Sequence, residues 1–440
     1  MQQAKPRPGV FTASGPLRGT GAVPGDKSIS HRALILSALA RGQSEIAGLS
    51  GGGDVLSTAS ALRALGARIE RDGEGWTVDG VGTGALLQPA EALDMGNSGT
   101  SARLLMGLLA THQLTATFIG DGSLSRRPMN RVIAPLSRLG ATFTAAPGGR
   151  LPLTLKGYAP AAPLFHRMEV ASAQVKSALL LAALNTPGIT RVLEPVPTRD
   201  HSERMLLAAG ADLEIEETGE GRLLSLHGEA ELKPQRIRVP ADPSQAAFLL
   251  VAALIVPGSE VSVEGVGINP TRAGLIGVLQ EMGADLTLSN HRDEGGEPVA
   301  DLTARHSALR AVDVPPDLAP SMIDEFPIFF IAAAFAHGTS RTSGLAELRV
   351  KESDRLAAMA AGLAAIGVPA TEGEDGLAVT GTGGDPLPGG ASIDPRLDHR
   401  IAMSFAVAGL HARAAIEVRD MAPADTSFPR FETQLERLAS

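Results

Sequence analysis

Five times along this chain an apolar, helix-like run ends on a glycine and passes into a strand-like stretch. The copies read Leu62-Arg-Ala-Leu-Gly66-Ala67, Leu136-Ser-Arg-Leu-Gly140-Ala141, Leu206-Leu-Ala-Ala-Gly210-Ala211, Leu279-Gln-Glu-Met-Gly283-Ala284 and Leu363-Ala-Ala-Ile-Gly367-Val368. A sixth, incomplete copy closes the chain at Leu435-Glu-Arg-Leu-Ala-Ser440. Glycine suits the position after a helix because it adopts the left-handed backbone that other residues avoid. Two more markers keep the same phase. Ala/Leu-rich helices are expected to start near Lys27, Asn97, Ser172, Asp242, Asp324 and Asp398, at intervals of 70–82 residues. The helices feeding each glycine start near Asp54, Pro128, Arg199, Pro270, Glu352 and Ser427. Short β-like stretches lie between them (44–47, 115–119, 189–193, 260–264, 339–343 and 415–418), and hairpins are expected after the glycines, as at 68–78 and 142–155. Three markers in one period specify six copies of a β-α-β-α-β-β unit. A solenoid is the simplest alternative for any repeat, but its repeats usually run to about 20–50 residues and touch only their neighbours. Units this long can share a closed domain, so the expected fold class is α/β (α+β), two domains of three units each.

Composition agrees with a globular chain: 44% hydrophobic and 20% charged residues, with one Trp, one Tyr and 12 Phe. The core must therefore rest on aliphatic residues. The absence of cysteine excludes disulfides, a thiolate nucleophile and Cys-ligated zinc. The apolar runs 248–256 and 326–336 are too short to span a bilayer and read as buried helices. The first 20 residues show no signal-peptide core. A net charge of −9 argues against non-specific nucleic-acid binding but leaves room for a local basic cleft.

Such a cleft is what the helix starts predict. The first three begin Gly25-Asp26-Lys27-Ser28-Ile29-Ser30-His31-Arg32, Gly96-Asn97-Ser98-Gly99-Thr100-Ser101-Ala102-Arg103 and Ala171-Ser172-Ala173-Gln174-Val175-Lys176. Small hydrogen-bonding residues leave backbone N–H groups free, and a helix N-terminus carries about half a positive charge, so each start can hold an anion. Any one of them could equally be a capped helix with a solvated cation. Three at one repeat phase favour a shared anion site. More basic residues mark Arg126-Arg127-Pro128-Met129, Thr198-Arg199-Asp200-His201, Lys351-Glu352-Ser353-Asp354-Arg355 and Asp398-His399-Arg400. His31, His201 and His399 are expected to position neighbours and not to catalyse.

Taken in order, these motifs resemble the 5-enolpyruvylshikimate-3-phosphate synthase family over nearly the whole chain. The resemblance implies a two-domain enolpyruvyl transferase fold, with 24–242 as one domain, 1–23 plus 243–440 as the other, and the active site in the cleft between them. It implies transfer of the enolpyruvyl group of phosphoenolpyruvate to the 5-hydroxyl of shikimate 3-phosphate, releasing phosphate on the route to chorismate and aromatic amino acids. Lys27, Ser28, Arg32, Ser172, Ala173, Gln174, Arg199, Asp324 and Lys351 correspond to ligands of shikimate 3-phosphate. Lys27, Gly99, Arg127, Gln174, Arg355 and Arg400 correspond to the phosphoenolpyruvate site. Asp324 is the candidate base and Glu352 the candidate acid, with Lys27 as a further participant. A carboxyl group beside Lys351 and Arg355 is held ionised by them, whereas anionic substrate and desolvation act the other way, so acid and base stay open between these residues. No metal or organic cofactor is called for. The expected partners are the two small substrates, with no nucleic acid, membrane or second subunit, and the expected location is the cytoplasm.

The chain also departs from the family pattern. Where many members carry Lys before the last helix, this sequence has Thr426-Ser427-Phe428-Pro429. The segments 127–131, 194–205 and 269–272 resemble the bacterial subclass often tolerant of glyphosate, while Gly99 leaves its pocket wall without a side chain, so tolerance stays open. Two rivals remain: the sister transferase acting on UDP-N-acetylglucosamine, whose loop cysteine is missing here, and a non-catalytic anion-binding repeat protein.

Overall fold

The structure is a computed structural model that describes residues 6–73 and 75–440; residues 1–5, part of the expected second domain, lie outside it. Helices run in the expected alternation. They are α1 (Lys27–Leu39), α2 (Gly53–Ala64), α3 (Gly99–Ala110), α4 (Asn130–Ser137), α5 (Ala173–Ala183) and α6 (His201–Ala208). The second half has α7 (Pro243–Ile255), α8 (Gly274–Glu281), a short α9 (Ala319–Met322), α10 (Phe326–Phe335), α11 (Arg355–Ala365), α12 (His399–Gly409) and α13 (Phe431–Ala439). Past its polar first turns, the leading helix of each repeat is largely apolar and is buried. Every residue of α10 is buried, as is every residue of α7 after Pro243. Among the described residues no single helix is long and apolar enough to cross a membrane.

Local chemistry sets the helix ends. Asp26, Ser98, Asp242 and Asp398 accept a hydrogen bond from a first-turn N–H at 2.8–3.0 Å, and Ser172 does so at 3.4 Å. Such caps satisfy donors that the helix cannot. At the other end, the five marker glycines all have φ between +80° and +104°. After α6 the Gly210 and Ala211 N–H groups donate back to Leu207 and Leu206, and Gly283 and Ala284 repeat this on Gln280 and Leu279. Some starts differ from expectation: the helices expected near Pro270 and Ser427 begin four residues later, at Gly274 and Phe431. The helix expected at Asp324 begins at Phe326, and Asp324 lies in the turn after α9. The one expected at Glu352 begins at Arg355, because Asp354 takes the capping role by accepting from Ala357 N–H at 3.0 Å. Lys351 and Glu352 are therefore loop residues, not part of a helical face.

Each complete repeat folds into a four-stranded sheet with order 1-2-4-3: a parallel pair joined through the leading helix, then the hairpin. In the second repeat Leu93–Asp94 lies parallel to Thr115–Ile119, which pairs antiparallel with Arg150–Lys156 and so with Thr142–Ala146. Two repeats exchange their first strands. Arg236–Arg238, late in the third repeat, completes the sheet of the first, beside Arg41–Ala47. Arg18–Thr20, ahead of the first repeat, completes the sheet of the fourth, beside Glu260–Gly267. The sixth repeat lacks a hairpin, and Gly9–Phe11 pairs antiparallel with its strand Ile416–Val418.

The chain divides into two compact units. The first holds repeats one to three, residues 25–239, together with 294–297, four residues that the sequence assigned to the other half. The second holds repeats four to six, residues 240–293 and 298–440, with the described residues 6–24. Each has its own core; that of the first unit is mainly aliphatic, while that of the second also holds eight buried phenylalanines, Phe326, Phe329 and Phe330 among them in mutual ring contact. In the first, α3 and α5 pack so closely that a Cβ on Gly107 would lie 2.2 Å from the Ala178 carbonyl.

Candidate active site

In the first unit the starts of α1, α2 and α3 are tied together. Lys27 Nζ donates to Asp54 Oδ2 at 2.9 Å, so the cation is held at the mouth of two helices. Behind it a buried chain runs from His31 Nδ1 to Thr58 Oγ1 (2.7 Å), Ser101 Oγ (2.6 Å) and Ser98 Oγ (2.6 Å). Burial, reinforced by the charges of Lys27 and Arg32, holds the His31 pKa well below its ordinary 6.5. Gly99 opens α3 against two guanidinium groups: a Cβ there would stand 2.6 Å from Arg103 Nη1 and 3.3 Å from Arg127 Nη1. Arg127 donates to Asn97 Oδ1 (2.9 Å) and Ser123 Oγ (3.2 Å). Arg103 donates to Gln174 Oε1 (2.9 Å), and Gln174 Nε2 to Thr100 Oγ1 (3.0 Å). Gly99, Arg127 and Gln174 thus form one cluster, with Arg103 at its centre.

Ser172 caps α5, and Ala173 begins that helix. Arg32 reaches from α1 toward α5 and α6, where Ser202 Oγ, Ser177 Oγ and the Ser28 carbonyl accept from it at 2.7, 2.7 and 2.9 Å. Burial draws its pKa down to about 10, aided by the nearby charge of Arg199 and opposed by Glu203, Asp26 and Glu297. Next to it Lys176 is fully buried between Glu194 (3.0 Å) and Glu203 (2.6 Å). Burial outweighs that cation and raises the Glu203 pKa above its ordinary value. A buried charge needs such partners, so Lys176 is structural although it sits on a basic helix start. His201 Nδ1 lies 2.7 Å from Glu297 Oε1.

The second unit gathers its five predicted residues into one cluster. Arg355, 1% exposed, donates to Asp398 Oδ2 (2.9 Å), Asp324 Oδ1 (3.2 Å) and Glu352 Oε2 (2.5 Å). Burial works against its charge, but Asp398, Glu352 and Asp324 together outweigh that and raise its pKa. Lys351 Nζ lies 3.8 Å from Asp324 Oδ1. Burial lowers the Lys351 pKa and Arg355 adds to the effect, against Asp324, Glu347 and Glu352. Arg400 Nη1 donates to the Asp324 carbonyl at 2.8 Å. The cluster sets a base-capable carboxylate, a second carboxylate and three cations within one ion-pair network, the equipment for anion binding coupled to proton transfer. Thr426 turns its hydroxyl onto the Pro423 carbonyl at 2.7 Å.

Sequence reasoning did not single out Arg103 or Asp398 as site residues. Arg103 and Asp398 stood in motifs already marked by their phase, and each matters through a contact to another helix that no local signal reveals.

The sequence matches the family described as EPSP synthase (3-phosphoshikimate 1-carboxyvinyltransferase) over residues 11–435. The chain belongs to the EPSP synthase family. Among relatives named 3-phosphoshikimate 1-carboxyvinyltransferase, the one from Novosphingobium aromaticivorans is 62% identical over 98% of this chain and 99% of that protein. The one from Zymomonas mobilis is 60% identical over 98% and 96%. A solved EPSP synthase from Acinetobacter baumannii superposes with a TM-score of 0.87 at 44% identity, covering 98% of both chains. The enolpyruvyl transferase NikO from Streptomyces tendae, at 19% identity and a TM-score of 0.78, shares the fold. This family placement leaves the anion-binding repeat protein without support.

Proposed function

We propose that this member of the EPSP synthase family transfers the enolpyruvyl group of phosphoenolpyruvate to the 5-hydroxyl of shikimate 3-phosphate and releases phosphate. The full-length likeness to relatives named for that activity carries the reading. The rival transfer to UDP-N-acetylglucosamine draws no support from these names.

We assign the two clusters to one reaction. Shikimate 3-phosphate takes Ser28, Arg32, Ser172, Ala173, Gln174, Arg199, Asp324 and Lys351. Phosphoenolpyruvate, with a phosphate and a carboxylate, takes Lys27, Gly99, Gln174, Arg127, Arg355 and Arg400, the planar forks of arginine matching both groups. Asp324 accepts the proton of the 5-hydroxyl as its oxygen attacks C2 of phosphoenolpyruvate, and C3 gains a proton. Loss of phosphate and of a C3 proton then restores the vinyl group. Glu352 is the donor to C3 in this reading, with Lys27 as a further participant. The incoming carboxylate competes with Glu352 for Arg355, which frees Glu352 to carry a proton. A monomer in the cytoplasm suffices for these steps.

Phosphate release from phosphoenolpyruvate, measured with each acceptor, tests the reaction. Turnover with shikimate 3-phosphate is expected, and turnover restricted to the nucleotide sugar would refute it. Arg127→Ala should raise KM for phosphoenolpyruvate about 10–100-fold, as loss of a charge-assisted bidentate contact does, and leave KM for shikimate 3-phosphate nearly unchanged. Equal rises for both substrates would overturn the division of the site.

A further inference from the structure

The fourth repeat supplies no predicted ligand, yet its helix start is packed with charge. Arg272, Asp242 and Glu325 are each 2–4% exposed. Arg272 Nη1 donates to Glu325 Oε1 at 3.3 Å, and Nη2 donates to Ser244 Oγ at 2.8 Å and Asp242 Oδ1 at 3.4 Å. Ser244 Oγ in turn donates to Glu325 Oε1. Glu325 caps no N–H with its side chain but is the residue next to Asp324, in the turn between α9 and α10. The same turn is also held by Arg400, which donates to the Asp324 carbonyl and lies 3.9 Å from Glu325.

We propose that Arg272 is a positioning residue for the reaction: acting through Glu325, it fixes the turn that aims the Asp324 carboxylate. The inference rests on the reading of Asp324 as the base. Asp324 belongs to no helix, so its backbone is not fixed by an i to i−4 ladder, and the turn depends on the side chains that anchor it. Removing Arg272 takes away the guanidinium that bridges Glu325 and Asp242 and leaves Arg400 at 3.9 Å beside Glu325, so the turn shifts to rehydrate the buried carboxylate. A displacement of about 1 Å in a reacting group costs on the order of 10²-fold in rate.

The test is a double-mutant cycle read as kcat, from phosphate release at saturating phosphoenolpyruvate and shikimate 3-phosphate, with Arg272→Met, Asp324→Asn and the pair. Arg272→Met alone should lower kcat about 30-fold while both KM values stay within about 3-fold, and Arg272→Lys should recover part of the loss. In the Asp324→Asn background the same change should cost less than about 3-fold, since there is no base left to aim. Losses that multiply in the pair would overturn the proposal while leaving Asp324 its role. Wild-type kcat in Asp324→Asn alone would remove that role, and the proposal with it. If Arg272→Met does not fold, Glu325→Gln, which keeps shape and an acceptor oxygen, completes the same cycle with the same criteria.

Discussion

Four histidines, His31, His112, His166 and His306, have pKa values below the ordinary 6.5, each chiefly through burial. A lowered pKa means that the folded chain binds fewer protons than the unfolded one between the folded value and 6.5. Their contribution to stability is therefore complete above about pH 6.5 and is lost as the pH falls toward the folded values. Urea midpoints should decline from pH 7 to pH 5, by at most about 1.4 kcal/mol per pH unit for each histidine. His31→Gln should flatten the decline, because His31 is fully buried among Lys27 and Arg32 and shows the strongest shift of the four. An unchanged slope would contradict it. At this scale the sequence marked which charged residues stand at helix starts, since capping chemistry is local. It could not separate Lys176, buried between two glutamates, from Lys27, held at a helix mouth, because that difference is made by Glu194, Glu203 and Asp54 from other elements.

Two glycines of one helix set opposite expectations at the level of elements. Gly277 lies exposed inside α8, and a Cβ there would meet nothing within 4 Å. Gly283 follows the same helix at φ +87°. Gly277→Ala should stabilise by about 0.5–1 kcal/mol by removing backbone freedom from the unfolded chain. Gly283→Ala should cost about 1–2 kcal/mol, the strain of a Cβ in the left-handed region. Thermal unfolding of both variants checks the pair, and a harmless Gly283→Ala would undo the account of how these helices stop. The helices and most strands were legible because periodicity and punctuation are properties of short segments. The starts expected at Asp324 and Glu352 fell two and three residues early, and at the second of them Asp354 caps the first turn in place of Glu352.

For the whole molecule the informative residue is Leu17, fully buried between the strands Gly9–Phe11 and Arg18–Thr20. Its N–H donates to Ser259 Oγ at 2.8 Å, and its carbonyl accepts from Glu260 at 2.9 Å. Leu17→Ala should cost about 2–5 kcal/mol, as core truncations do, measured from the urea midpoint at constant m. A cost below 1 kcal/mol would show that the N-terminal segment is not part of the second unit's core. The residues alone determined six α/β repeats, the helix starts that gather cations, and a family whose chemistry needs them. The tertiary structure decided which strand completes which sheet: 18–20 serves the fourth repeat, 236–238 the first, and 9–11 the unfinished sixth. Three-residue strands carry too little pattern to name a partner. Their pairing is selected by the open sheet edges that must be covered and by the burial of Leu17 and its neighbours, which exist only once the repeats have packed.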